Sequence, residues 1–240
     1  MGRQEVYDAT GGTFDEDRYG SSHMRLYLKR RTDAVCRIVN EASRGQSSLR
    51  ILDVGCGTGL TLASLTNLPG NHRVVGVDFS RTMLQQAQDK ARTLTNPPGL
   101  VLGSGLSLPF RDSTFDIVYA TRFIHQFPHE EKRRLYQDLL RITRPGGLVI
   151  LEFYARPYHL LRYYAQRIKS EREEFLSHFP TTHEMIDIVG SLHSIVPLRL
   201  AGERILHRLL SEANVEKATH LAASWPVRLL VDEYFVITRK

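Results

Sequence analysis

A chain of 240 residues, 42% hydrophobic and 24% charged, has the balance of an ordinary soluble globular protein and can build one α/β domain with a cap. Its longest apolar runs, such as Leu148 to Leu151, are far too short to span a bilayer, and the polar first 24 residues lead us to expect no secretory signal. The net charge of +6 admits an acidic substrate, nucleic acid or an anionic membrane surface, while two cysteines, Cys36 and Cys56, make no disulfide framework, so a reduced, cytoplasmic protein is expected.

Residues 1–48 precede the first strand and are expected to form an N-terminal lid and one helix. Between residues 23 and 50, Arg25, Lys29, Arg30, Arg31, Arg37, Arg44 and Arg50 face only Asp33 and Glu41. A solvated helix face is favoured over a binding patch. Leu49–Val54 is the first strand, and it breaks into Gly55-Cys56-Gly57-Thr58-Gly59 before an apolar helix, Leu60–Leu68. Arg73–Asp78 is the second strand. Ser80 is the expected N-cap of a helix over Arg81–Thr95, because its hydroxyl can take an orphan backbone N–H. Short apolar runs at Leu100–Gly103, Phe115–Ala120 and Leu148–Phe153 give three further strands, and an amphipathic helix, His129–Arg144, precedes the last of them. This alternation is the pattern of a parallel sheet covered by helices. The rhythm then changes. Residues 154–201, with a segment at Tyr158–Phe179 rich in Tyr, Leu, Arg and Glu, read as an inserted helical cap. Gly202–Ala213 is expected to be a helix, and Val215–Ala222 and Asp232–Thr238 the last two strands, with an antiparallel ending.

The spacing at Gly55, Gly57 and Gly59 is G-x-G-x-G, whereas a dinucleotide fingerprint wants its third glycine one place later, at Leu60. A turn without side chains lets the backbone approach a ligand closely. On the residues alone it is a cofactor cradle, a nucleotide site of another type or a tight structural turn. Asp78, at the end of the second strand, is placed to bind a ribose diol, since one carboxylate accepts from two hydroxyls. His125, beyond the end of the fourth strand, is either a structural hydrogen-bonder or a base.

The run Asp53-Val54-Gly55-Cys56-Gly57-Thr58-Gly59 resembles motif I of the class I S-adenosylmethionine-dependent methyltransferases. With Val74–Ser80, Gly103–Phe110 and Phe115–Arg122 in the right order, the chain looks like the type 11 small-molecule group, strongly over residues 49–153 and weakly over 202–240. The resemblance implies one domain over 1–240: a Rossmann-like, seven-stranded, mostly parallel sheet with helices on both faces, an N-terminal helical lid and a helical cap insert after the fifth strand. It implies S-adenosyl-L-methionine as cofactor, with S-adenosyl-L-homocysteine as product. It implies cofactor contacts from Asp53, Gly55, Cys56, Gly57 and Gly59, a ribose contact from Asp78, and a ring contact from Phe79. Thr121 and Arg122 would line the methionine end. The family usually carries Asp where this chain has Ser104. Serine can also accept from the adenine amino group, or the backbone of Gly105 and Leu106 can supply the contact.

The reaction so implied is in-line methyl transfer to an O-, N- or C-nucleophile of a small aromatic or hydrophobic acceptor. It needs alignment and water exclusion first, and a base only if the acceptor holds a proton. The candidates for that base are His125, His23, Tyr19 and Tyr7. The lid supplies Tyr7, Phe14, Tyr19 and His23, and the insert Phe153, Tyr154, Tyr158, Tyr163 and Tyr164, which suits a planar acceptor. The alternatives are an RNA methyltransferase, a lipid-quinone methyltransferase, or a non-catalytic S-adenosylmethionine-binding protein. Nucleic acid is not the expected partner, because no RNA-binding module accompanies the basic segment. A homodimer is compatible with the sequence. No Cys/His pair has zinc spacing, so no metal is expected.

Overall fold

A computed structural model describes residues 3–44, 46–154, 182–190, 194–200 and 231–240. Three helices come first: α1 (Arg3–Thr10), α2 (Phe14–Tyr19) and α3 (Ser22–Ala42). Then follow β1 (Arg50–Val54), α4 (Leu60–Thr66), β2 (Arg73–Asp78), α5 (Arg81–Ala91), β3 (Gly99–Leu102), β4 (Phe115–Ala120), α6 (His129–Ile142) and β5 (Thr143–Tyr154). The chain closes with α7 (Thr182–Val189), β6 (Ser194–Leu200) and β7 (Val231–Arg239). The strands form one seven-stranded sheet in the order β3-β2-β1-β4-β5-β7-β6. β1 pairs in parallel with both β2 and β4, β2 pairs in parallel with β3, and β6 pairs antiparallel to β7. This is the Rossmann-like, mostly parallel arrangement expected from the alternation of apolar runs and helices.

The described chain divides into two compact units. One comprises Met1–Thr121, Gln137–Val149 and Arg239–Lys240; the other comprises Arg122–Tyr136 and Ile150–Thr238. In the first, every residue of β4 is buried, as is all of β1 except Arg50. That is why these strands read as continuous apolar runs without alternation. Ser80 caps α5 as expected, its hydroxyl accepting from Met83 N–H at 3.3 Å. Met83 itself is buried in the core.

The helices α4, α5 and α6 end at Thr66, Ala91 and Ile142, each short of its expected end, and two strands differ more. β5 starts at Thr143, not at Leu148. Gly146, at φ +78°, donates its N–H to the Lys240 carbonyl at 2.8 Å, and Lys240 donates back to Gly147 at 3.0 Å. Pairing with the chain's last residue thus draws the Pro-Gly-Gly turn into the strand. The sixth strand is Ser194–Leu200, inside the segment assigned to the insert; the strand expected at Val215–Ala222 and the helix expected at Gly202–Ala213 lie outside the described residues. Pro197 breaks the strand signal of this run. It is tolerated because β6 is an edge strand with irregular register between Pro197 and Leu200.

Candidate functional site

The glycine turn leaves β1 with Gly55, Gly57 and Gly59 all at positive φ, +76°, +52° and +77°. Only glycine takes such angles without strain. The Val77 carbonyl of β2 fastens the turn by accepting from both Gly55 N–H (2.8 Å) and Cys56 N–H (3.1 Å). A Cβ on Gly59 would lie 3.0 Å from the Cβ of Ala87, so this glycine also lets α5 come close. A Cβ on Gly57 would meet nothing within 4 Å. The turn therefore borders open space at Gly57.

Asp78 ends β2 beside this turn and is buried. Its Oδ2 accepts from Gly57 N–H and its Oδ1 from Ser80 N–H, each at 2.9 Å. Burial raises its pKa, and the Ser80, Gly57 and Phe79 amides oppose the rise. A carboxylate has about four lone-pair sites, so acceptor capacity remains for a hydroxyl beside these amides. The Phe79 ring is half-buried and meets the edge of Tyr7 from α1 at 5.6 Å between centroids.

Asp53 is 3% exposed. Burial pushes its carboxyl up to about 7, and the neighbouring Asp78 adds to the rise. The Tyr119 hydroxyl and the Arg31 guanidinium oppose it. The Tyr119 hydroxyl acts without a well-formed hydrogen bond. Arg31 is a finding the sequence reading placed wrongly, on a solvated helix face. It is 5% exposed, bonds the Tyr19 hydroxyl at 3.3 Å and lies over the Tyr27 ring. The signal was there: Tyr27, Arg31, Ala34, Val35 and Ile38 share one stripe at helical spacing.

Two acids of the N-terminal helices also reach the turn, and neither was singled out from sequence. Asp8 accepts from the Ser80 hydroxyl. Asp15 accepts from the Thr58 hydroxyl at 2.7 Å and pairs with Lys90 at 2.9 Å. Next to β3, the Ser104 hydroxyl accepts from Leu106 N–H at 3.2 Å, and a bridge joins Ser104 to Ser107. Thr121 is buried just beyond the end of β4.

In the second unit, Arg122 is left-handed at φ +53°. Its N–H donates to Oε2 of the fully buried Glu152 at 2.7 Å, and its carbonyl accepts from Gln126 Nε2 at 3.1 Å. His125 is buried in a short 3-10 turn, Ile124–Gln126, with its ring edge-on to Tyr154 at 4.9 Å. Lys132 is 2% exposed, and burial pushes its ammonium down to about 8 against the opposing charge of Glu184. His23 lies on α3. Of the insert's aromatic residues, Tyr158, Tyr163 and Tyr164 lie outside the described residues.

Comparison with known proteins agrees with this geometry. Residues 51–147 match the family described as "Methyltransferase domain". The demethylmenaquinone methyltransferase of Lactiplantibacillus plantarum is 36% identical over 110 residues, which is 44% of this chain and 46% of that protein. The protein of the same name from Symbiobacterium thermophilum is 35% identical over 114 residues, 45% of this chain and 43% of the relative. The chain thus spans about half the length of the curated relatives it matches. Among solved structures, magnesium protoporphyrin IX methyltransferase from Synechocystis, with bound S-adenosylhomocysteine, superposes with a TM-score of 0.69. The identity is 16%, over 99% of this chain and 97% of that one. Geranyl diphosphate C-methyltransferase from Streptomyces coelicolor gives 0.60 at 18% identity, over 87% and 78%. At such identities the likeness speaks for the fold.

The sheet order, the glycine turn and the acid ending β2 make a Rossmann-like fold shared with solved methyltransferase structures. The methyltransferase-domain match over residues 51–147 lies on this part of the fold and supports the resemblance of the chain to the class I S-adenosylmethionine-dependent methyltransferases.

Proposed function

We propose that this chain transfers a methyl group from S-adenosylmethionine to a small aromatic or hydrophobic acceptor. The observation that carries the reading is Asp78, buried, fastened through both oxygens to the glycine turn and to α5, and bordered by open space at Gly57. These residues fit the cofactor. Asp53 would meet its ammonium, the Gly55, Cys56, Gly57 and Gly59 backbone would follow its methionine part, Asp78 would hold the ribose diol and Phe79 would cover the base. Gly105, Leu106 and Ser104 would flank the base, and Thr121 and Arg122 keep the role that the resemblance implies. When bound, the cofactor supplies a methyl group already activated on a sulfonium. The protein's task is then to aim the acceptor and exclude water.

Within this proposal, His125 takes the acceptor's proton, held against Tyr154 in a buried turn. Tyr19, buried and bonded to Arg31, and His23 are the other candidates. A quinol-type acceptor is favoured by the names of the relatives, demethylmenaquinone methyltransferases. Methylating a ring carbon of such a quinol forms the C–C bond as the methyl–sulfur bond breaks and then expels the proton of that carbon; taking a hydroxyl proton first makes the carbon more nucleophilic, and that is the task of a base. Free Cys36 and Cys56 fit a reducing, cytoplasmic setting.

The test is calorimetric titration of S-adenosylhomocysteine into the wild type and Asp78→Ala, followed by turnover with a reduced naphthoquinol. Micromolar binding by the wild type, weakened about a hundredfold or more in the variant, is expected from losing a buried, charge-assisted contact to two hydroxyls. Equal binding by the two proteins would sink the assignment of the site.

A further inference from the structure

Thr58 sits between two left-handed glycines of the turn, Gly57 at φ +52° and Gly59 at φ +77°. Glycine reaches such angles without strain, but it also has the most conformational freedom to lose when a backbone is ordered. A turn built this way needs fastening to keep one shape. Part of that fastening comes from β2, through the Val77 carbonyl and the Asp78 carboxylate. A second set of bonds holds Thr58, which is 3% exposed.

The Thr58 hydroxyl donates to Oδ1 of Asp15 on α2 at 2.7 Å. The Thr58 carbonyl accepts from Nζ of Lys90, in the last turn of α5, at 3.1 Å. Lys90 Nζ in turn lies 2.9 Å from Oδ2 of Asp15, which closes a ring of three contacts. The Thr58–Gly59 peptide is then held at both ends, its carbonyl by Lys90 and its amide by the Cys56 carbonyl at 3.0 Å. As a partly exposed ion pair, Asp15 and Lys90 would contribute little to stability. What sets the pair apart is that both members also grip the same residue of the turn. Asp15 lies 43 residues before Thr58 and Lys90 32 residues after it, so the ring ties α2 and α5 to one peptide.

We propose that Asp15 and Lys90 are positioning residues of the cofactor site. They act through Thr58, setting the glycine turn in the shape that receives the methionine part of the ligand. Docking of α2 and binding of the cofactor then favour one another, by the reciprocity of linkage. The inference rests on the reading in which the Gly55–Gly59 backbone follows that part of the cofactor.

The experiment is calorimetric titration of S-adenosylhomocysteine into the whole chain and into Lys90→Met, Asp15→Ala, the double variant and Lys90→Arg, at a temperature well below each melting transition. Lys90→Met and Asp15→Ala should each weaken binding by about fivefold or more. The direction separates positioning from charge. One variant removes a cation and the other an anion beside the same turn, so a field effect moves the two affinities in opposite senses, whereas loss of the ring lowers both. The double variant should bind within about twofold of the weaker single variant, because the two side chains act as one unit. Lys90→Arg keeps a cationic donor and should recover most of the loss seen in Lys90→Met. A merely structural pair would lower the melting temperature and leave the affinity alone. Asp15 is partly exposed, so Asp15→Ala keeps the test open should Lys90→Met fail to fold. A smaller loss in either single variant, opposite changes in the two, additive losses in the double variant, or no recovery in Lys90→Arg would each overturn the proposal. Failure of the wild type to bind S-adenosylhomocysteine would instead bring down the cofactor reading itself, and this inference with it.

Discussion

Around the glycine turn, a buried carboxylate is met by backbone. Asp78 accepts from the amides of Gly57 and Ser80, one at each oxygen. In the second unit, buried and half-buried charges are met by side chains from far along the chain: Lys132 faces Glu184, and Asp187 is shared by His129 and Arg133. The difference is one of rigidity. Amides held in a turn are fixed before any ligand arrives, so the carboxylate they hold is preorganised. Side-chain pairs must order several rotatable bonds to form, and each pair depends on an element that the tertiary fold delivers. Glu152 stands between these cases: it is a buried side chain, but its partner is the amide of the left-handed Arg122.

The contrast can be broken most strongly at Gly57. A side chain there meets φ +52° and fills the open space beside the turn, so Gly57→Val should weaken S-adenosylhomocysteine binding about a hundredfold or more while the protein still melts cooperatively. Retained affinity in a folded variant would mean that the turn is only structural. Next comes Glu152. Glu152→Leu leaves the Arg122 N–H buried without its acceptor and should cost about 1–3 kcal/mol by denaturant titration; Glu152→Gln keeps an acceptor and should cost less. If the two variants are equally destabilised, the carboxylate acts through its charge and not through this bond.

Asp53 sharpens the comparison through pH. Its folded carboxyl is raised to about 7 from 3.8, mainly by burial. The folded state therefore holds a proton that the unfolded chain has released, and this group makes the ligand-free protein less stable as pH rises from about 4 to about 7. On the proposed function an ammonium beside Asp53 favours its ionised form. Affinity for S-adenosylhomocysteine should then fall by up to about tenfold per unit below pH 7, and Asp53→Asn should flatten that slope. A wild-type affinity that does not change between pH 5.5 and 8 would separate Asp53 from the ligand. The smallest effect belongs to the Asp15–Lys90 pair, which is partly exposed. Asp15→Asn should change stability by no more than about 1 kcal/mol, and the melting temperature should approach that of the wild type at high salt.

Much of the cofactor side was readable because its parts are close together in the chain. Gly55 to Gly59, Asp78 and Ser80 each lie within a few residues of a strand end, and a strand end is a local signal. Arg31 was hidden by its neighbours Lys29 and Arg30, although its place on the apolar stripe of α3 marked it. Asp8 and Asp15 could not be read at all, because contacts 72 and 43 residues apart in sequence have no local pattern. The sixth strand was missed for a similar reason. Ser194–Leu200 is a strand because β7 offers it an edge, and Pro197 conceals it from any test of alternation.

By itself the sequence determined the order of strand, turn and helix from β1 to β5, and the acid and glycine positions at the ends of β1 and β2. Apolar runs, glycines and caps act over a few residues, and the backbone obeys them wherever the segment ends up. Tertiary structure alone decided which acids are buried, how far Asp53 is driven from its ordinary pKa, and which distant side chains answer a buried charge. Those are properties of the dielectric and the neighbours around a group, and neighbours are known only once the chain has folded.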